Sequence, residues 1–296
     1  MSVAAPRSGR LEAIARPRSV FQRNLNLVRE LSITQFKLKY TGSALGYVWS
    51  LVKPAMLFGI MYLVFSVLLK AAGTGPGSKH FPVQLLLGIV IWTFFAEATS
   101  SAVNAIAGAG DLIRKAYFPR WILVVASTTS ATLTFAINTV LVIVVTLALG
   151  QLDLTWRSLL APLFYVELVV LILGLSLLLS ALFVFFRDLG HIWEIVSLVL
   201  FYGSAVVFPF SRIPRQALRD IDGLNPIAQI IQDLRHALVD PGIPSMGALV
   251  DPAHPALGSM GLAGPLIALP ILIALAIFAI GFGVFHWLTP KFAESL

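Results

Sequence analysis

The chain has 296 residues, of which 58% are hydrophobic and only 12% are charged, and it contains no cysteine. A soluble domain typically carries about twice that charged fraction, and apolar runs of about 20 residues recur along this sequence. The composition therefore excludes an ordinary soluble protein and indicates a polytopic membrane protein. The net charge of +7 is better explained by cytoplasmic loops that face anionic lipid than by nucleic-acid binding.

Residues 1–20 are basic and lack a long apolar core, so we expect a disordered cytoplasmic tail rather than a cleavable signal peptide. Residues 21–40 follow with a helical period. Arginine, lysine and amide side chains gather on one side of this predicted helix, as is typical of a helix lying on a membrane surface. An ordinary helix packed on a soluble partner is the alternative. The apolar side comprises Phe21, Leu25, Val28, Leu31 and Phe36.

Residues 41–296 contain six apolar segments that we interpret as membrane-spanning helices. The predicted spans lie at about 45–69, 83–106, 121–149, 159–186, 192–208 and 265–288. The expected fold is therefore an all-α polytopic membrane protein with six transmembrane helices behind an amphipathic interfacial helix. Gly42 and Gly46, four residues apart, would permit a close helix approach, although a single such pair is a weak signal.

Orientation follows from the distribution of lysine and arginine. Placing the N-terminus in the cytoplasm puts most of the 21 cations on that side, as the positive-inside rule requires. The sequence thus predicts a multi-pass membrane protein with both termini cytoplasmic.

Residues 211–264 then lie outside, and they are too polar to cross the membrane. Asn225 can cap a helix there, and Pro226 suits its first position. We expect this helix and a second, short helix around 213–220 to return to the outer surface without crossing. The apolar face of the helix after Asn225 comprises Ile227, Ile230, Ile231, Leu234 and Leu238.

The sequence contains no recognisable catalytic or metal-binding pattern. Residues 73–80 do not form a phosphate loop, because Ser78 stands where glycine is required and His80 where serine or threonine is required. The five histidines lack the spacing of a zinc site, and no serine-hydrolase motif occurs. We therefore expect neither a metal nor a cofactor in this chain.

Some side chains within the predicted spans are candidates for a transport path. Intramembrane carboxylates either mark such a path or make structural hydrogen bonds between helices, and the sequence leaves both readings open. The aromatic residues exceed what interfacial belts need and could stack on sugars, although packing against lipid is the commoner use. The candidates are Tyr62, Trp92, Phe95, Glu97, Glu167, Phe201 and Tyr202.

Three stretches, in this order, resemble the polysaccharide-exporter permeases, the membrane subunits of ABC exporters for O-antigen, teichoic acid, capsule and mycobacterial galactan. They are KYTGSALGYVWSLVKP (39–54), FFRDLGHIWEIV (185–196) and LNPIAQIIQDLRHAL (224–238). The resemblance implies a six-span subunit that pairs with a second copy of itself and with two separate ATPase subunits, which would hold ATP and Mg. It also implies export of a glycan carried on a polyprenyl diphosphate across the bacterial cytoplasmic membrane. The proline-rich extension 242–265 departs from the family pattern.

The resemblance further assigns roles to several short segments. Residues 107–120 correspond to the coupling helix that docks on the ATPase, residues 187–191 to a smaller second contact, and the helix near 225–239 to the extracellular gate. In the alternative interpretation, the cations of these segments only fix topology and the rings only anchor at the interface. The candidate coupling residues are Asp111, Arg114, Lys115, Tyr117, Phe118, Arg187 and Asp188.

Two other functional classes remain as alternatives to the transport subunit of an ATP-driven exporter. A membrane-embedded glycosyltransferase or other lipid-glycan enzyme would need an acidic or metal-binding loop at the membrane face. The short loops offer only Asp111 and Asp188 for this purpose, each beside cations. A secondary transporter would show paired internal repeats with broken helices, and none is evident in the sequence.

Overall fold

The computed structural model describes residues 20–68, 80–115, 118–151, 156–204, 206–207, 224–239 and 269–292. Throughout these residues the regular structure is helical, as the predicted all-α class requires. Several expectations concern residues outside this description. They are the tail 1–19, the loop 73–79, Tyr117, the extension 242–265 and, except for 224–239, the segment 211–264.

The described residues form nine α-helices. Their bounds are α1 (Val20–Tyr40), α2 (Trp49–Tyr62), α3 (Phe81–Val103), α4 (Gly110–Lys115), α5 (Trp121–Ala148), α6 (Ala161–Phe185), α7 (Leu189–Gly203), α8 (Pro226–Leu238) and α9 (Leu269–Leu288). Short 3₁₀ turns precede α2, α4 and α6 and follow α9, and a π turn, Leu63–Leu68, continues α2.

Five helical segments are long and apolar enough to cross a membrane. They are Gly46–Ser66, Phe81–Val103, Trp121–Ala148, Ser158–Phe185 and Ile271–Lys291, and they coincide with the first four predicted spans and the sixth. The predicted fifth span, 192–208, is different, because its helix α7 has 15 residues and ends at Gly203. At about 1.5 Å per residue, such a helix is shorter than the roughly 30 Å hydrocarbon core.

The chain turns sharply between α1 and α2. Three aromatic rings meet at this turn, with Phe36 stacked on Tyr47 at 5.3 Å and Tyr40 at 5.3 Å from Tyr47. Gly42 and Gly46 lie within the turn at φ values of +81° and +51°. Their interpretation as a helix-packing pair is therefore wrong, since they serve as residues that tolerate left-handed backbone.

Helices α2, α5, α6, α7 and α8 pack against α3, which is the most deeply buried of the candidate spans. Because lipid tails are as apolar as leucine side chains, this packing depends on close van der Waals contact and on polar ties between helices. Besides the main apolar core around α3, the chain has a smaller apolar cluster, which we call the end cluster. It lies where α3 ends and α5 begins. Its buried members are Ala102, Ile106, Leu123, Val124, Leu177, Ala181, Val184, Phe285, Leu288 and Phe292.

A polar tie reinforces the end cluster. Arg120, just before α5, donates from Nη1 to the carbonyl oxygen of Thr289, just after α9. Its guanidinium also lies 5.8 Å from the ring centroid of Phe292, which is fully buried. The start of α5 is thereby attached to the end of α9.

Candidate functional site

The segment predicted to contact an ATPase forms a short helix, α4, at the end of the bundle that carries the end cluster. Asp111 lies in its first turn, and Arg114 and Lys115 lie in its last turn. All three are exposed, and so is Leu112. Charged side chains around one exposed leucine give this helix a surface suited to a protein partner.

The apolar side chains of this segment do not all face outward. Ile113 and Phe118 are half-buried and pack against the end cluster, as does Leu31 of α1. Among the described apolar side chains of this segment, Leu112 is thus on the surface, whereas Ile113 and Phe118 reach the chain's own core. Helix α4 is therefore in direct contact with the ends of the helices that form the end cluster.

The second predicted contact is the tight turn between α6 and α7. Arg187 and Asp188 are exposed there. The guanidinium of Arg187 lies 5.5 Å from the ring centroid of Phe183, so α6 supports this cation. Since α6 also supplies buried members of the end cluster, this turn and α4 lie at the same end of the bundle.

The helix predicted to be interfacial, α1, packs along α5. Val28 and Ser32, one turn apart, are buried, while Leu31 and Phe36 are half-buried. Phe21 and Leu25 are 74% and 57% exposed. The predicted apolar side is therefore partly turned toward α5 and partly left open near the start of the helix.

Glu97 joins three helices. Its Oε1 lies 2.5 Å from Nζ of Lys39 at the end of α1, and Thr134 of α5 donates a hydrogen bond to the same oxygen at 3.0 Å. This arrangement agrees with the structural alternative for an intramembrane carboxylate, a polar tie between helices.

Glu167 has a different environment. It is half-buried on α6, and its Oε1 makes no hydrogen bond within the described residues. The neighbouring helix α8 carries a second carboxylate, Asp233, which accepts a hydrogen bond from Gln229 Nε2 at 3.3 Å. Glu167 therefore stands beside a polar face of α8.

The candidate aromatic residues divide into core and surface. Trp92 packs against Phe95 at 5.3 Å and against Phe201 at 5.6 Å, and all three rings are buried within the single chain. Tyr202 is 53% exposed, and Tyr62 is half-buried beside Phe58. Tyr62 and Tyr202 are thus the candidate rings that the fold leaves accessible.

The predicted helix after Asn225 is present as α8. Asn225 caps it, since its Oδ1 accepts a hydrogen bond from the backbone N–H of Ile227 at 3.0 Å. The predicted apolar residues Ile227, Ile230, Ile231 and Leu234 are buried, and Leu238 is half-buried. The opposite side is enclosed too, because Gln229, Gln232, Asp233 and Arg235 are buried.

Arg235 is the residue that the sequence interpretation missed. Its side chain is only 2% exposed. Nε donates to the carbonyl oxygen of Gln84 at 3.0 Å and Nη2 to that of Val206 at 2.6 Å. Burial lowers the pKa of Arg235 to about 10, which still leaves the guanidinium charged at pH 7.

A glycine makes room for this guanidinium. A Cβ on Gly88 of α3 would lie 2.6 Å from Arg235 Nη2 and 2.9 Å from Val206 O. In the sequence, a lone arginine on the polar side of an amphipathic helix predicts exposure. Only the tertiary packing of α8 against α3 shows that it is buried.

Within the part of the chain that the structure describes, no three histidine, aspartate or glutamate side chains converge as a metal site would require.

Comparisons with known proteins point in one direction. Residues 26–239 match the family model described as ABC-2 type transporter. The chain is 27% identical to the O-antigen export system permease protein RfbA of Myxococcus xanthus, over 74% of this chain and 86% of that protein. It is 25% identical to a Klebsiella pneumoniae protein of the same name, over 67% and 74%. It is also 24% identical to the polysialic acid transport protein KpsM of Escherichia coli, over 78% and 87%.

Proposed function

The chain belongs to the ABC-2 type transporter family, and we propose that it is the membrane subunit of an ATP-driven exporter that moves a polysaccharide across the cytoplasmic membrane. The family match over residues 26–239 carries this proposal. The relatives named for O-antigen export and polysialic acid transport favour a polysaccharide as the substrate class. ATP hydrolysis then belongs to a separate ATPase subunit.

We further propose that the glycan travels on a polyprenyl diphosphate, and that two copies of this chain form the path together with two ATPase subunits. The accessible rings Tyr62 and Tyr202 suit stacking on sugars. Glu167, whose Oε1 makes no hydrogen bond within the described residues, is the candidate carboxylate for that path. Glu97 is also a candidate for the path from its position in a span, and in addition it ties α1, α3 and α5 together.

For the topology we propose six crossings with both termini in the cytoplasm, α7 being the fifth crossing. Exposed apolar side chains along α7, including Ile195 and Val199 at 66% each, support its placement in the membrane. Helix α8 is then the outer gate, which returns to the outer surface without crossing. Its enclosure between α3 and α6 supports a gate set into the bundle rather than one lying on its surface.

The ATPase docks, in this proposal, on α4 and on the turn between α6 and α7. Support comes from the exposed charges around Leu112 and from the packing of Ile113 and Phe118 against the end cluster. Movement of α4 would reach α3, α5, α6 and α9, because all four helices supply residues to that cluster.

One experiment tests the assembly and its coupling together. The purified chain alone should show no ATP turnover, whereas the chain reconstituted with its ATPase in vesicles should hydrolyse ATP and translocate lipid-linked glycan. Leu112→Ala removes an exposed apolar contact and should weaken ATPase binding at least about fivefold, as expected for a significant interface residue.

Gly59→Ala is the control for that variant, since a Cβ there meets no atom within 4 Å and should leave binding unchanged. Appreciable ATP turnover by the chain alone would refute the division of labour between subunits. Full coupling in Leu112→Ala would refute the docking surface.

A further inference from the structure

We propose that α8 and the end of α7 move as one unit during transport, and that Arg235 is the positioning residue that joins them. The inference rests on the proposed function in one respect, namely that α8 is the outer gate. Its structural basis is a set of polar bonds that the exporter assignment does not require.

The first tie lies at the start of α8. Asn225 Nδ2 donates to Ser204 Oγ at 2.9 Å and also lies 3.5 Å from the carbonyl oxygen of Gly203, the last residue of α7. The same side chain caps α8 through its Oδ1. The Asn225 side chain thus contacts the end of α7 and also caps the start of α8.

The second tie lies near the other end of α8. Arg235 Nη2 donates to the carbonyl oxygen of Val206 at 2.6 Å, and this carbonyl belongs to a bend beyond α7. Ten residues separate Asn225 from Arg235, a distance of about 15 Å along a helix. The two ties therefore hold α8, from two places along its length, to residues 204 and 206 just beyond α7, whereas a single tie would let it swivel.

Burial strengthens the second tie. A buried charge that loses its partners is strongly destabilising, so the guanidinium holds its carbonyl partners firmly. The planar guanidinium serves the carbonyl oxygens of Gln84 and Val206 at once through two different nitrogens. The bond to Gln84 in the first turn of α3 attaches the same guanidinium to the central helix of the bundle.

The C-terminal end of α8 has a tie to a different element. Ser158, in the 3₁₀ turn before α6, donates from Oγ to the carbonyl oxygen of Ala237 at 3.0 Å. If α8 moves with α7, this contact must open when α7 tilts. The two ends of α8 therefore provide a matched pair of positions for a test.

The test uses engineered disulfides in a chain without cysteine. Ser204→Cys with Asn225→Cys would lock α8 to the end of α7, and Ser158→Cys with Ala237→Cys would lock it to the turn before α6. Each full-length double variant is assembled with its ATPase in vesicles, and glycan export is measured in the oxidised and the reduced state.

The expected result is asymmetric. Oxidation of the 204–225 pair should leave export within about twofold of the reduced protein, and oxidation of the 158–237 pair should lower it at least tenfold. Any other pattern, including tolerance or blockage by both disulfides, overturns the proposal. Export by the reduced variants would show that the proposed function stands even then.

A rescue experiment assigns the role of Arg235 itself. Arg235→Met should lower export at least tenfold in an assembled complex, and the oxidised 204–225 disulfide should restore at least half of it by replacing the lost tie. Failure of the rescue in an assembled complex overturns the positioning role. If the Arg235→Met chain does not assemble with its ATPase, assembly is measured instead of export. The oxidised 204–225 disulfide should then restore assembly, and a failure to do so also overturns the positioning role of Arg235.

Discussion

At the scale of single residues, a very close helix contact lies where α6 crosses α9. A Cβ on Gly281 would overlap the carbonyl group of Gly174, and a Cβ on Gly174 would overlap the backbone of Phe278. Small residues allow helices in a membrane to approach so closely, and the gain is van der Waals contact between backbones. The pair Gly174 and Gly281 therefore sets the distance between the two helices.

Gly281→Ala should destabilise the protein, because the added methyl group has no space and the two backbones must separate. The expected cost is about 1–3 kcal/mol, as for an overpacked core. Thermal unfolding of the purified chain in detergent would measure it. Gly283→Ala on the same helix is the control, since nothing lies within 4 Å of its Cβ. Equal effects of the two substitutions would show that the crossing is not tight.

The sequence directed attention to a different glycine pair. Gly42 and Gly46 have the four-residue spacing of a packing motif, but they lie in a turn. Gly174 and Gly281 meet from two helices more than a hundred residues apart, so no local spacing connects them. Local patterns identify glycines within one helix, whereas the packing of the bundle decides which of them touch.

At the scale of elements, the end of α1 is held by an ion pair and by aromatic packing. The Lys39–Glu97 pair ties α1 to α3, and Thr134 adds α5 through the same oxygen. Phe36, stacked on Tyr47, holds the turn that leads to α2. The position of α1 is therefore coupled to the central helix of the bundle.

A double-mutant cycle tests this tie. Lys39→Met and Glu97→Gln should each lower stability, and the double variant should lose little more than either single variant, giving a coupling energy on the order of 1 kcal/mol. Thermal unfolding of the four proteins supplies the values. Lys37→Met, at an exposed position two residues away, should be nearly neutral. Strictly additive losses would show that the two charges do not interact in solution.

Local signals predicted several elements correctly. The Asn225–Pro226 dipeptide located the start of α8, because the cap and the first helical residue act within a few positions of each other. The end of α7 was predicted five residues too late, because the apolar run continues beyond Gly203 without a breaking signal. The burial of the polar side of α8 was not predicted, since it depends on α3 and α6, which cover it.

At the scale of the whole molecule, α3 acts as the fixed centre of two separate attachments. Glu97, in its last third, holds the end of α1 through Lys39. Gln84, in its first turn, receives the hydrogen bond from Arg235 of α8. A displacement of α3 would thus affect both α1, beside the proposed docking end, and α8, the proposed gate. These two helices are attached near opposite ends of α3.

In the proposed dimer, we expect the two copies to meet through the open side of α7. Helix α7 buries Trp193 and Phe201 against the chain, while its other side is open. That open side carries the exposed apolar residues Ile192, Ile195, Val196, Leu198, Val199 and Tyr202. Because the chain itself covers only one side of this 15-residue helix, a second copy could pack against the other side. Tyr202 would then face the space between the two copies.

We therefore expect Val199→Cys to form a disulfide between two copies under mild oxidation in membranes, giving a band of twice the monomer mass on a non-reducing gel. Ile143→Cys is the control, because this residue of α5 is also exposed and apolar, at 46%, but lies outside the proposed interface and should remain monomeric. Co-expressing the ATPase should leave this difference unchanged, since the proposed docking surface is formed by α4 and the turn between α6 and α7 and does not include Val199. Crosslinking at position 143 with none at 199 would place the dimer interface on α5 and remove Tyr202 from the path.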